Sequence, residues 1–266
     1  MFDVKEFEKL ATPFYYYDEK VLSDTLTELV KASGKHNFHV HYALKANANN
    51  RILQHIKAVG LGADCVSGNE VKQALSIGFS SDHIAFAGVG KTDAEINIGL
   101  DHDIFSFNCE STQELEVINE LAQKKGKVAR VAIRINPNVN AKTHKYITTG
   151  LEENKFGINP WEFETVISLL KSCKNLQLVG LHFHIGSQIT DLDVFKSIRV
   201  NEIQEWFISR QILVEHVNVG GGYGVDYTKV DENLIPDFDA FFQIFADFLE
   251  LKPGQQLHFE LGRAVV

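Results

Sequence analysis

FHVHYALKANANNRILQHIKAVG, residues 38 to 60, decides how the chain is read. Its first seven residues alternate histidine or alanine with β-branched, aromatic and aliphatic side chains, the two-residue period of a strand. Lys45 follows where that pattern stops, and small turn-forming residues come next. From Asn49 onward apolar residues recur at three- and four-residue steps, a helical period that opens on a capping asparagine and closes on Gly60. The unit is strand, lysine-bearing turn, helix.

The same unit recurs along the chain. Strand-like runs stand at GADCV (62–66), HIAFAG (83–88), IFSFN (104–108), KVARVAIRIN (127–136), LQLVGLHFH (176–184), VEHVNVGG (214–221) and QLHFEL (256–261), which with the first run makes eight. Amphipathic segments such as GNEVKQALSIG, STQELEVINELAQKKG and DFDAFFQIFADFLEL lie between them, with Ser111 and Asp237 as further helix caps. Strict alternation to eight strands in 266 residues matches an α/β fold, a (β/α)8 TIM-type barrel of roughly 250 residues. An open doubly wound sheet shares the local signature, but the strand count favours closure.

A further helix, Ser23 to Ser33, precedes the first strand and is expected to fill the place in the outer ring after the eighth. TPFYYYD (12–18) reads as a strand, and a closed barrel has no edge to pair it. Residues 1–22 are therefore expected to serve an absent β domain, leaving 23–266 as the barrel and a chain of poor activity alone. The long connection NPNVNAKTHKYITTGLEENKFGIN (136–159) exceeds a barrel turn and is expected to be functional.

Composition narrows the partners. Hydrophobic residues make up 44% and charged residues 23%, with a net charge of -9. That balance, without a basic run, argues against nucleic acid or an anionic membrane surface and leaves small metabolites. Cys65, Cys109 and Cys173 lack metal or redox spacing, so no metal is implied and a reducing cytoplasmic setting is expected. The amino-terminal MFDVKEFEKL is neither a signal peptide nor a membrane span.

Strand parity locates the ligand. His39, His41, Ala43 and Lys45 share one face of the first run, against Val40, Tyr42 and Leu44. Ala132, Arg134 and Asn136 oppose Val131, Ile133 and Ile135; His182 and His184 oppose Leu181 and Phe183. His216 and Asn218 oppose Val217 and Val219; His258 and Glu260 oppose Leu257 and Phe259. If the apolar parity packs on the helices, the interior is polar and its groups must pair or meet a polar ligand. His39, His216 and His258 lie early in their strands and are expected to fill a hydrogen-bonded core. Lys45, Asp64, Arg134, His184, Gly220 to Gly222 and Glu260 lie at strand ends, where barrels build active sites.

A lysine at a barrel mouth can condense with an aldehyde once deprotonated. GGGYG after the seventh strand suits a phosphate, because side-chain-free backbone lets several N–H groups approach an anion, and Ser187 is a further donor. Each feature has a blander counterpart: a surface lysine, a plain turn, a Glu260–Arg263 salt bridge. Together they point to pyridoxal phosphate, whose ring nitrogen needs an acidic partner.

HYALKANAN, GADCVSGNE, FAGVGK, IRINPNV, HKYITTGLEENKFGI, GLHFHIGSQ, NVGGGYG and FELGR, together with TPFYYYD, resemble the pyridoxal-phosphate decarboxylases with an alanine-racemase-like barrel, nearest the branch acting on diaminopimelate. The resemblance implies that Lys45 links the cofactor, His184 stacks on its ring, and Ser187, Gly220, Gly221 and Gly222 hold its phosphate. It assigns Glu260 to the ring nitrogen, makes Lys45, His184 and Glu260 the catalytic set, and places Asp64 and Arg134 around the lysine and ring. Gly262 and Arg263 would contact phosphate, or in the case of Arg263 the substrate carboxylate. Leu261 stands where the family usually has proline, a departure that bears on the turn. The implied reaction removes the D-centre carboxylate of meso-diaminopimelate to give L-lysine, in a cytoplasmic homodimer whose partner supplies further site groups. Ornithine, arginine and carboxynorspermidine decarboxylases are the nearest alternatives. Alanine racemase places arginine against the ring nitrogen; a non-catalytic cofactor carrier and a Schiff-base aldolase leave Glu260 or His184 without a role.

Overall fold

The eight expected strands close on themselves. In the computed structural model, which describes residues 4–136, 156–229 and 232–266, β1 is His39–Ala43, β2 Gly62–Cys65, β3 Ile84–Phe86 and β4 Ser106–Cys109. They are followed by β5 Ala129–Ile135, β6 Leu176–Phe183, β7 His216–Asn218 and β8 Gln256–Leu261. Each strand pairs in parallel with the next, and β8 returns to β1 through His39↔His258 to Tyr42↔Leu261. The barrel, not the open sheet, is the fold.

Helices α1 (Val4–Phe7) and α2 (Glu19–Gly34) precede β1; α3 (Asn50–Ala58), α4 (Gly68–Ile77), α5 (Asp93–Asp101) and α6 (Thr112–Lys124) alternate with the next strands. Helices α7 (Phe163–Ser172), α8 (Val200–Ile208) and α9 (Phe238–Phe248) complete those described. The expected caps form: Asn49, Ser111 and Asp237 accept the backbone N–H groups of Arg51, Glu114 and Ala240, each contributing about 1 kcal/mol. Helix α2, longer than the expected 23–33, lies beside α9, where Lys35 Nζ donates to Asp239 Oδ2 at 2.6 Å. It closes the outer ring as anticipated.

TPFYYYD pairs with no strand of the barrel. Its residues form no ladder among the described residues, and Tyr15 is 89% exposed. A β-favouring composition without a partner strand leaves the backbone unpaired. Most of the long 136–159 connection lies outside the described residues; its return is visible where Asn136 N donates to Ile158 O at 2.9 Å and Ile158 N to Arg134 O at 2.8 Å.

The parity division holds. Val40, Tyr42, Leu44, Val131, Ile133, Ile135, Leu181, Phe183, Val217, Val219, Leu257 and Phe259 all belong to one apolar core between barrel and helices. Phe241, Phe242 and Phe245 of α9 pack edge-on against Phe259, each buried ring contributing about 1.5–3 kcal/mol. Inside the barrel the buried side chains include His41, Asn108, His182, Asn218, His258 and Glu260. Toward the amino ends of the strands, His41 Nε2 meets His258 Nδ1 at 3.0 Å, and His258 Nε2 meets His216 Nδ1 at 3.0 Å. Phe105 packs against all three rings, and His39 stacks on His258 with centroids 4.9 Å apart. His216 and His258 form the hydrogen-bonded core expected of them, whereas His39 joins it by stacking and its buried Nε2 has no hydrogen-bond partner.

Candidate active site

Above that core, at the carboxyl ends of the strands, a cavity of about 240 Å³ is lined by Lys45, Asp64, Arg134, His184 and Glu260, together with Glu110, His182, Gly88 and Phe156 among others. Lys45 sits in a 3-10 turn, Leu44–Ala46, that continues β1. Leu44 of that turn is fully buried and anchors it. Gly262 lets β8's exit approach the same turn, because a Cβ there would lie 3.2 Å from Ala43 Cβ and 3.1 Å from Ala46 Cβ.

Glu260 is the most heavily partnered carboxylate of the site. Its Oε1 accepts from Asn108 Nδ2 at 3.0 Å and from Asn218 Nδ2 at 2.8 Å, and its Oε2 pairs with His182 Nε2 at 2.9 Å. Burial alone would raise this carboxyl. The charge and hydrogen bond of His182, with Lys45 and His184 beyond, outweigh it and hold the group well below the usual range. A carboxylate offers about four acceptor sites, so three donors leave one on Oε2.

Asp64 behaves oppositely. Burial, then the negative charge of Glu260, pushes it up to about 8, against the pull of Lys45, whose Nζ lies 4.0 Å from Oδ2. Its Oδ1 is buried without a hydrogen-bond partner, as is Glu110 Oε2. His184 is pushed down to about 3 by burial and then by the positive charges of Arg134 and Lys45. The Gly221 N–H points at its Nδ1 from 3.5 Å. Arg134 Nη1 donates to Glu110 Oε1 at 2.8 Å, and its guanidinium lies 5.3 Å from the Phe156 ring centroid.

The remaining expected residues sit on loops of the same mouth but do not line this cavity. Gly220 and Gly222 have φ of +72° and +102°, the left-handed region that favours glycine. A Cβ at Gly220 would overlap the Phe183 carbonyl, at Gly221 the Glu260 carbonyl, and at Gly222 the Gly186 carbonyl. The β7 loop is thereby pressed onto the β6 loop, where Ile189 N donates to Gly222 O at 2.8 Å and Gly224 N to Ile189 O at 2.9 Å. Ser187 is exposed on that paired rim. Arg263 turns away from the cavity to Tyr227, donating to its hydroxyl with the guanidinium 5.7 Å from the ring centroid. Leu261 ends β8 buried in the apolar core, so the strand runs through the position where proline is usual.

Sequence alone did not single out Glu110 or Asn108, and placed His182 on the interior face without assigning it to the site. All three share the interior parity of a neighbouring site residue, and Glu110 continues the 106–108–110 alternation one step past β4. That continuation was the available signal.

Pyridoxal phosphate fits this donor set: an amine, an anionic carboxylate with one open acceptor site, two orphaned acid oxygens in the cavity, and a glycine rim that admits no side chain. The comparisons agree. The family described as "pyridoxal-dependent decarboxylase, pyridoxal binding domain" matches residues 22–266. Diaminopimelate decarboxylase of Bacteroides thetaiotaomicron is 54% identical over all of this chain and 70% of its own length. That of Aquifex aeolicus is 36% identical over 94% of this chain and 61% of its own length. The crystal structure of the Helicobacter pylori diaminopimelate decarboxylase complexed with L-lysine superimposes with a TM-score of 0.87, at 37% identity, over 99% of this chain and 66% of that one. The chain thus spans about two thirds of the length of these relatives. Within the pyridoxal-dependent decarboxylases, it belongs to the diaminopimelate decarboxylase family.

Proposed function

We propose that this chain forms the cofactor-binding barrel of an enzyme that removes the D-centre carboxylate of meso-diaminopimelate, giving L-lysine and CO2 as the last step of lysine biosynthesis. The observation that carries the reading is Glu260, held anionic by His182, Asn108 and Asn218 in the cavity that also contains Lys45. Bound pyridoxal phosphate supplies an electron sink for the pair released from the broken C–C bond.

The chain's own groups have separable tasks. Lys45 is the amine that tethers the aldehyde. Glu260 would keep the ring nitrogen protonated, and His184, held neutral by burial, would present an uncharged ring to the heterocycle. Ser187 and the backbone of Gly220, Gly221, Gly222 and Gly262 hold phosphate. Arg263, released from Tyr227, meets phosphate or the substrate carboxylate. Asp64, protonated near neutral pH, stands beside Lys45 without adding a second negative charge to that of Glu260. Arg134 fixes the opposite wall through Glu110.

We further infer that residues 1–22 serve a β domain of the longer proteins in which this barrel occurs. The exposed Tyr15 and the start of the family match at residue 22 support that assignment. A homodimer, which the family resemblance implies, would cover the open mouth. A cytoplasmic setting is supported by three buried free cysteines; among the described residues no helix is long and apolar enough to cross a membrane. CO2 release from meso-diaminopimelate, ornithine, arginine and carboxynorspermidine, with L-lysine quantified, tests the function. Preferential turnover of meso-diaminopimelate is expected, and turnover confined to another substrate overturns the reading.

A further inference from the structure

A buried ammonium stands behind two charged groups of the site. Lys91 lies between β3 and α5, and its side chain is 1% exposed. Its Nζ donates to Gly88 O at 2.9 Å, to Asn108 O at 2.8 Å and to Glu114 Oε1 at 2.6 Å, with the Phe86 ring centroid 5.4 Å away. An ammonium has three donors. All three are committed to protein, so Lys91 does not itself bind a ligand.

Each acceptor leads to the cavity. Asn108, held at the backbone by Lys91, donates its side-chain amide to Glu260 Oε1 at 3.0 Å, and Ser106 Oγ secures its other end at 3.1 Å. Glu114, from the first turn of α6, uses its second oxygen to accept the Glu110 N–H at 2.7 Å. The side chain of Glu110 in turn takes Arg134 Nη1 at 2.8 Å. Gly88 lines the cavity directly. One ion pair thus reaches both the carboxylate proposed for the cofactor's ring nitrogen and the guanidinium on the facing wall.

Stability alone is a weak reason to keep such a pair, because a buried ion pair is often matched or exceeded by apolar residues of the same volume. Fixed geometry is a better one. We propose that Lys91, with Glu114, is a positioning residue for the cofactor site: through the backbones of Asn108 and Glu110 it sets where Glu260 and Arg134 meet the bound ring. The proposal rests on the reading of this cavity as a pyridoxal phosphate site.

The test uses the natural gene product that carries these residues. Lys91→Met alone strands the Glu114 carboxylate and risks misfolding, so the decisive variant is the double Lys91→Met/Glu114→Gln, which removes both charges together. Thermal melts of the cofactor-free proteins establish folding. Pyridoxal phosphate is then titrated, with the dissociation constant and the visible circular dichroism per bound cofactor as readouts; the latter reports ring orientation and is unmoved by a change in occupancy alone.

The proposal expects a cooperative melt, cofactor affinity weakened at least about tenfold, a coupling of ~1.4 kcal/mol, and an altered dichroism at saturation. A double variant with wild-type affinity and dichroism overturns it. So does one that fails to melt cooperatively while Lys91→Met and Glu114→Gln singly leave affinity and dichroism unchanged. A wild-type protein that takes up no pyridoxal phosphate overturns the reading of function and this inference with it, and only that outcome touches both.

Discussion

His182 and Glu260, on neighbouring sides of the barrel interior, share a 2.9 Å contact between Nε2 and Oε2, and that contact does most to keep the carboxylate charged where burial would neutralise it. The two asparagines complete the arrangement. Replacing Glu260 by Gln keeps its size and removes the charge. Decarboxylation by Glu260→Gln is expected to fall by about 10²-fold or more, and the melting temperature to fall as well, because the amide nitrogen cannot accept from the buried donors that the carboxylate satisfies; CO2 release at saturating cofactor, with folding verified, checks this.

Asp64→Asn separates stability from function. The folded Asp64 retains its proton up to about pH 8 whereas the unfolded group ionises near the ordinary aspartate value of about 3.9. Between those values the native state binds more protons, so wild-type stability falls as pH rises through that window. The asparagine variant lacks this loss. Its stability gain over wild type is expected to grow from pH 4 to pH 8, reaching on the order of 2–4 kcal/mol, in urea titrations across that range.

The interior histidines predict acid sensitivity. Burial holds His41 and His216 each down to about 4, and His258 well below its ordinary value. Unfolded imidazoles take up protons below about pH 6.5 while the folded ones do not. Stability is therefore complete above that pH and declines as pH falls toward 4, by on the order of 3 kcal/mol for His41 alone. Denaturant midpoints between pH 7 and pH 4.5 measure it, and His41→Gln should flatten the slope.

Gly221→Ala tests the crossing of β7 and β8. The new methyl would overlap the Glu260 carbonyl oxygen, which is backbone and cannot swing aside. A loss of about 1–3 kcal/mol or more is expected, together with weakened cofactor binding, whereas Gly254→Ala, in open space but at φ +87°, should affect stability alone.

Much of this was legible in the sequence, for identifiable reasons. Period-two alternation sorted the side chains of β1, β5, β6, β7 and β8 into interior and helix-facing sets, because a strand allows only two faces. Lys45, Asp64, Arg134, His184 and Glu260 followed from their places at strand ends. What did not follow depends on spatial neighbours. Lys91 and Glu114 lie 23 residues apart and acquire meaning only when β3 and β4 are side by side. Arg263 lies past the end of β8, and its direction is set by Tyr227, which no local pattern announces. TPFYYYD has strand composition, yet without a partner in reach composition does not make a ladder.

The central claim is that Lys45 carries the cofactor within the barrel. Treating the pyridoxal phosphate-loaded protein with borohydride and mapping its peptides by mass spectrometry tests this most directly. A pyridoxyl group on Lys45, absent when Lys45→Ala is treated identically, is the predicted result; a modified lysine elsewhere with Lys45 untouched, or no modification at saturating cofactor, would contradict it.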